Sequence, residues 1–204
     1  MDIKYSIRDF FVYFLTGFYF ILIFLIEHGY NLYTNEKYLL IFEHINFTIL
    51  ILIVPLIYLL GHFIHSVDWM IWEYMNIIGR KISIFGHSRI VKRIVNIILF
   101  IINNNRVAGI LNKKNIDEKV FKEKLSLLRI KSIEDKAEYW HIMNDLFESI
   151  TLISFGWLIY SLFNFNEFKI IIYLILSIIF WHRARQMALN YVSNILAISD
   201  ELKL

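Results

Sequence analysis

The chain contains no cysteine, a single proline and only seven glycines among its 204 residues. Without cysteine it can form neither a disulfide framework nor a thiolate nucleophile or metal ligand. All-β and disordered chains both need many turn-forming residues, so the scarcity of proline and glycine argues against these two classes. The composition therefore predicts an all-α protein.

The sequence also lacks the short motifs of the common enzyme classes. It contains no H-E-x-x-H zinc motif, no P-loop, no G-x-S-x-G nucleophile elbow and no dinucleotide-binding glycine pattern. We therefore expect a protein that is not an enzyme and that uses no cofactor.

Hydrophobic residues make up 58% of the chain, whereas a soluble domain has about 45–50%. The excess lies in long apolar runs, which predict four transmembrane helices in an integral membrane protein. The runs are 10–26, 45–65, about 149–163 and 168 to about 181. The last two are short, so flanking Trp, Tyr and Lys residues are expected to complete the crossing at the interfaces. Asn164, Asn166 and Glu167 predict a tight hairpin turn between these two runs.

The placement of Lys and Arg predicts that both chain termini face the cytoplasm. Of the 21 basic residues, fourteen fall within 66–148 and five more lie in 1–9 and in the tail after the last run. Cytoplasmic loops carry such an excess of Lys and Arg. The outer loop, 27–44, is acidic. We expect a multi-pass protein of a bacterial inner membrane.

These spans divide the chain into three predicted parts. Residues 1–79 hold two spans and a cytoplasmic extension, 80–148 a basic cytoplasmic helical region, and 149–204 two spans and a cytoplasmic C-terminal helix. Within that helix an apolar seam recurs at spacings of three and four, typical of helix pairing. It would pack either on the protein's own middle region or on a second copy in a homo-oligomer. The seam consists of Ala188, Tyr191, Ile195, Ile198 and Leu202.

A basic helix is predicted within the cytoplasmic region. Residues 89–102 place Arg89, Lys92 and Arg93 on one face, followed by a nearly continuous apolar block. Such a helix can lie flat on the anionic inner leaflet. Alternatively, the three cations can bind the phosphates of a nucleotide or oligonucleotide.

The end of the second run carries a group of ionisable residues. His62, His65 and Asp68 follow one another at intervals of three. Two imidazoles and a carboxylate at this spacing are candidate metal ligands, and ionisable groups at membrane depth are candidates for proton transfer or gating. Neighbouring tryptophans favour a third interpretation, an ordinary interfacial role. No metal is assigned.

Small polar residues and one proline supply further pore or gating candidates. Thr151, Ser154 and Ser161 follow helical spacing in the third run. Such residues mark helix–helix contacts in membranes or line a narrow aqueous pathway. Pro55 interrupts a backbone hydrogen bond within the second run and is a candidate hinge.

Three segments resemble small four-span membrane effectors of bacterial antiphage-defence operons, such as those of Hailong-type and Kiwa-type systems. The segments are RDFFVYFLTGF (8–18), LLGHFIH (59–65) and FWHRARQMALNYV (180–192). The resemblance implies an oligomeric membrane protein that perturbs the membrane, or recruits a partner there, when infection is sensed.

The leading hypothesis is an oligomeric pore-forming ion channel gated by a cytoplasmic nucleotide or oligonucleotide. Its expected partners are membrane lipid, further copies of the chain and a soluble product of the same operon. A non-conducting membrane anchor that recruits such a soluble partner is the first alternative. A membrane metalloenzyme built on His62, His65 and Asp68 is the second.

Overall fold

The computed structural model describes residues 3–33, 47–85, 107–130 and 135–202. Within these ranges the chain forms helices joined by short turns and contains no strand, which confirms the all-α prediction. The helices are α1 (Ile3–Tyr33), α2 (Phe47–Phe85), α3 (Val107–Lys113), α4 (Glu118–Ile130), α5 (Asp135–Phe163) and α6 (Glu167–Glu201). The basic residues Arg89, Lys92 and Arg93 lie outside the described residues.

Three of these helices are long and apolar enough to cross a membrane. The spanning segments are Phe10–His28 of α1, Ile51–Ile71 of α2 and Ala137–Phe163 of α5. The third segment starts earlier than its apolar run predicted, because α5 continues without a break through the residues that precede it. The fourth apolar run forms the first part of α6.

A tight turn joins α5 to α6, as the polar residues there predicted. Phe165 adopts a left-handed backbone conformation with φ of 51°. Asn166 caps α6, and its side chain accepts a hydrogen bond of 3.1 Å from the backbone N–H of Lys169. A capping side chain satisfies one of the free N–H groups at a helix start. The two helices therefore leave the turn antiparallel and pack along their length.

The apolar runs pack into a helical bundle in which α1 contacts both α2 and α5. One cluster joins Ile23, Ile64, Ile153 and Tyr173, and so draws on α1, α2, α5 and α6. A second cluster joins Val12 of α1 to α5. Many apolar side chains on the outer surface of this bundle are exposed. An exposed apolar surface of this extent suits contact with lipid chains.

The second half of α6 packs against the helices α3 and α4. Ala188, Tyr191 and Ile195 of the apolar seam are buried in one cluster with residues of both helices. Ile198 packs against the same cluster, whereas Leu202 is exposed. Of the two predicted partners of the seam, the protein's own middle region is therefore the one found in the described residues.

Candidate functional site

Two of the pore or gating candidates, Pro55 and His62, lie together with Ser66 on one exposed face of α2. Pro55, His62 and Ser66 are all exposed, and their spacings of seven and four residues align them along the helix. The Ser66 hydroxyl donates a hydrogen bond of 2.9 Å to the carbonyl of His62. This face, here called the His62 face, runs along the spanning segment of α2 and points away from the interior of the bundle.

Aromatic rings surround the His62 imidazole on its inner side. Its ring centroid lies 4.7 Å from that of Tyr13 and 6.4 Å from that of Tyr58. His62 is an exposed residue, and it lies in a segment that can span the membrane. An ionisable side chain at membrane depth is unfavourable in lipid unless it meets protein or water.

His65 and Asp68 point elsewhere. His65 Nδ1 lies 3.1 Å from the Ser149 hydroxyl of α5, and Asp68 is buried. Each step of three residues rotates a helix position by about 60°, so the six residues from His62 to Asp68 separate them by about 120°. Within the described residues, no group of three or more His, Asp or Glu side chains converges on a point that could hold a metal. His62, His65 and Asp68 therefore do not form the metal site on which the metalloenzyme alternative depends.

The hydroxyl stripe of α5 faces the interior of the bundle. The Thr151 hydroxyl donates to the Phe147 carbonyl at 2.6 Å. Ser154 is fully buried and donates to the Ile150 carbonyl at 2.9 Å. Ser161 is also fully buried. This placement suits contacts between helices of one subunit rather than an outward surface.

A buried carboxylate, Glu27, lies near the end of the spanning segment of α1, and the sequence predicted it only as part of an acidic loop. Its side chain is 3% exposed, and Oε2 lies 2.5 Å from Lys169 Nζ. Oε1 accepts a hydrogen bond from the Tyr173 hydroxyl. A signal was present in the sequence: Glu27 ends one apolar run and Lys169 begins another at the same predicted membrane surface.

A second hydrogen-bonded pair lies deeper in the bundle. The Tyr19 hydroxyl is 2.8 Å from Ser154 Oγ. Because the Ser154 hydroxyl already donates its hydrogen bond to the Ile150 carbonyl, the Tyr19 hydroxyl is the donor in this pair. The Glu27–Tyr173 and Tyr19–Ser154 pairs are thus two separate polar contacts in the interior of the bundle.

An apolar groove of about 370 Å³ lies between α1, α2 and α5. Phe20, Phe63, Leu152 and Trp157 are among its lining residues, and Gly156 forms part of its wall. With almost wholly apolar walls, the groove offers few groups to orient a polar ligand.

These features define a helical membrane protein with an outward histidine face and a polar interior. Known protein families, curated proteins and solved structures include no match to the chain.

Proposed function

We propose that the protein is an oligomeric ion channel of a bacterial inner membrane and acts as a membrane effector in antiphage defence. The observation that carries the proposal is the exposure of His62 within a spanning segment. An exposed imidazole at this depth is stabilised where copies of the chain surround a water-filled path. The His62 face of several subunits then lines the pore.

Four spans per subunit complete this proposal. The cluster between α4 and the second half of α6 supports the fourth crossing. Because α4 precedes α5 in the chain, a crossing by α5 leads away from the side on which α4 lies. The chain must then return through the first part of α6 for its second half to meet α4. The termini are accordingly both cytoplasmic.

Gating follows from the cytoplasmic side. Pro55 provides a hinge on the His62 face, because proline removes a backbone hydrogen bond from the helix. Arg89, Lys92 and Arg93 receive a nucleotide or oligonucleotide through its phosphates. The acidic outer loop raises the concentration of cations at the mouth.

A second function, the anchoring of a soluble partner, is favoured by the surface of α4. Val120, Leu127 and Ile130 are exposed on this cytoplasmic helix, and Ile130 is 80% exposed. Exposed apolar side chains on a charged helix are typical of a surface that binds another protein. In this alternative the protein conducts nothing.

Ion flux through liposomes distinguishes the two functions. We expect the reconstituted protein to pass K⁺ when short oligonucleotides or cyclic nucleotides are present. His62→Leu should lower this flux by about tenfold. Leucine side chains from several subunits would form an apolar constriction, which excludes water and so blocks ions. His182→Leu is the control, because His182 is likewise exposed but lies in α6. Silent liposomes with every nucleotide would refute the channel and leave the anchor.

A further inference from the structure

Polar side chains lie at successive depths in the interior of one subunit, separate from the His62 face, and are here called the file. Hydrogen bonds join three pairs of them, which are Glu27 with Tyr173, Tyr19 with Ser154, and Ser149 with His65. The file begins at Glu27, in the last turn of the spanning segment of α1, and reaches His65, in the second half of the spanning segment of α2. Its members are Glu27, Tyr173, Tyr19, Ser154, Thr16, Ser149 and His65.

The outer end of the file is the buried carboxylate. Glu27 bonds to Lys169 and Tyr173 of α6, and the neighbouring His28 ring packs between Phe24 and Trp157. The ion pair is partly open to the outside, because the Lys169 side chain is 34% exposed whereas that of Glu27 is 3% exposed. A carboxylate in this position can exchange a proton with the outer solution.

The middle of the file lies at the depth of the bilayer core. Tyr19 is eight residues from Glu27 along α1, about 12 Å at the rise of an α-helix. Its hydroxyl bonds to Ser154 of α5. One turn further along α1, the Thr16 hydroxyl is fully buried and has no hydrogen-bond partner among the described residues. A buried hydroxyl of this kind suits an ordered water, which would extend the file.

The inner end of the file is His65. Three residues beyond Thr16 on α1, the Tyr13 ring lies with its centroid 5.5 Å from that of His65. His65 Nδ1 lies within hydrogen-bond distance of the buried Ser149 hydroxyl. An imidazole accepts a proton on one nitrogen and releases it from the other.

Helix contacts alone account poorly for a buried carboxylate at the start of such a file. Interhelical hydrogen bonds between hydroxyls stabilise membrane bundles by about 1 kcal/mol each. This gain in stability is enough to explain the Tyr19–Ser154 pair taken by itself. Ionisable groups inside a bundle, in contrast, mark ion and proton pathways. Here one such group lies at each end, with hydroxyls between them.

We propose that each subunit conducts protons along this file. The Glu27 carboxylate takes a proton from the outer side, and His65 releases one to the cytoplasm. Between them, hydroxyl rotation and bridging waters carry the proton from group to group, and each oxygen gains one proton as it passes on another. Every O–H or N–H bond that breaks is replaced by one that forms, and the transmembrane gradient supplies the driving force. The route needs neither assembly of subunits nor a nucleotide.

Proton flux in liposomes tests the file. The full-length protein is reconstituted with a trapped pH-sensitive dye and a K⁺ gradient, and valinomycin sets the membrane potential. Without nucleotide, we expect protons to enter at a rate proportional to the amount of protein. Tyr19→Phe should lower this rate by about tenfold, since it removes one hydroxyl of the chain and keeps the ring. Glu27→Gln should lower it similarly.

The matched control is Tyr160→Phe, which removes an exposed hydroxyl of α5 outside the file. Its proton flux should equal that of the unmodified protein. The thermal unfolding midpoint of each variant is measured in parallel, so that loss of flux in a folded Tyr19→Phe protein reports conduction. If Glu27→Gln does not fold, Tyr19→Phe alone decides.

Three results would overturn the file. These are an absence of proton flux without nucleotide, equal flux in Tyr19→Phe and Tyr160→Phe, and joint loss of proton and K⁺ flux in His62→Leu. The last result would route protons through the pore between subunits. If the proposed pore is wrong and the file is right, K⁺ flux is absent and proton flux is retained.

Discussion

Gly17 of α1 and Gly61 of α2 face each other where the two helices cross. A Cβ atom on Gly17 would lie 2.0 Å from the Ile57 carbonyl oxygen, and one on Gly61 would lie 1.7 Å from the Tyr13 carbonyl oxygen. Both clashes are with backbone, which no side-chain rotation relieves. The absence of a side chain at these two residues therefore sets the separation of the helices, as in other membrane helix pairs with small residues.

The crossing predicts a clear effect of single methyl groups. Gly61→Ala should lower the free energy of unfolding by about 1–3 kcal/mol, because the helices must move apart. Gly156→Ala is the control, since no heavy atom lies within 4 Å of the position its Cβ would occupy. Thermal unfolding in detergent measures both. Equal stability of the two variants would contradict the close crossing.

At the scale of elements, α4 docks on α6 through one face. Phe121 and Leu128 are buried against α6, whereas the adjacent Leu127 is 39% exposed. Lys124 Nζ also lies 2.8 Å from Asp200 Oδ1. Asp200 is largely exposed, so this ion pair contributes little, about 1 kcal/mol or less. Apolar burial therefore holds α4 in place.

Neighbouring leucines test this docking. Leu128→Ala should destabilise the contact by about 2–5 kcal/mol, the usual range for a buried leucine. Amide hydrogen exchange across 118–130 should then become faster. Leu127→Ala, at an exposed site, should leave the exchange of the same helix nearly unchanged. Equal exchange in the two variants would show that the seam on α6 has another partner.

At the scale of the whole molecule, the proposed topology places the turn between α5 and α6 on the outer side of the inner membrane. Phe165 in this turn is 89% exposed, and Ser126 of α4 and Ala197 of α6 are exposed as well. In the four-span arrangement both of the latter lie in the cytoplasm. The natural absence of cysteine provides a clean background for labelling.

Single cysteines therefore report the topology directly. A membrane-impermeant maleimide should label Phe165→Cys on intact cells, because the turn faces outward. It should label Ser126→Cys and Ala197→Cys only after the inner membrane is permeabilised. Labelling of Ala197→Cys in intact cells would show that α6 does not form a fourth span and that its end lies on the outer side of the membrane.

The sequence predicted those features that depend on local composition. Apolar runs of sufficient length predicted the helices of the three spanning segments, since backbone polar groups in lipid must bond within a helix. Polar residues at 164–167 predicted the turn, because Asn166 supplies a cap that the apolar run cannot. Helical spacing also predicted that Ala188, Tyr191 and Ile195 share one face.

Only the tertiary structure decided what each face meets. Spacing grouped His62 with Asp68, yet α2 turns one outward and buries the other because its neighbours cover a single side. In the sequence, Glu27 is one of several acidic residues of a loop. In the structure, α6 brings Lys169 and Tyr173 beside it. Burial, partner and depth depend on how separate helices approach one another. Local sequence fixes the helices themselves, and packing across the chain creates the outward histidine face and the inner polar file.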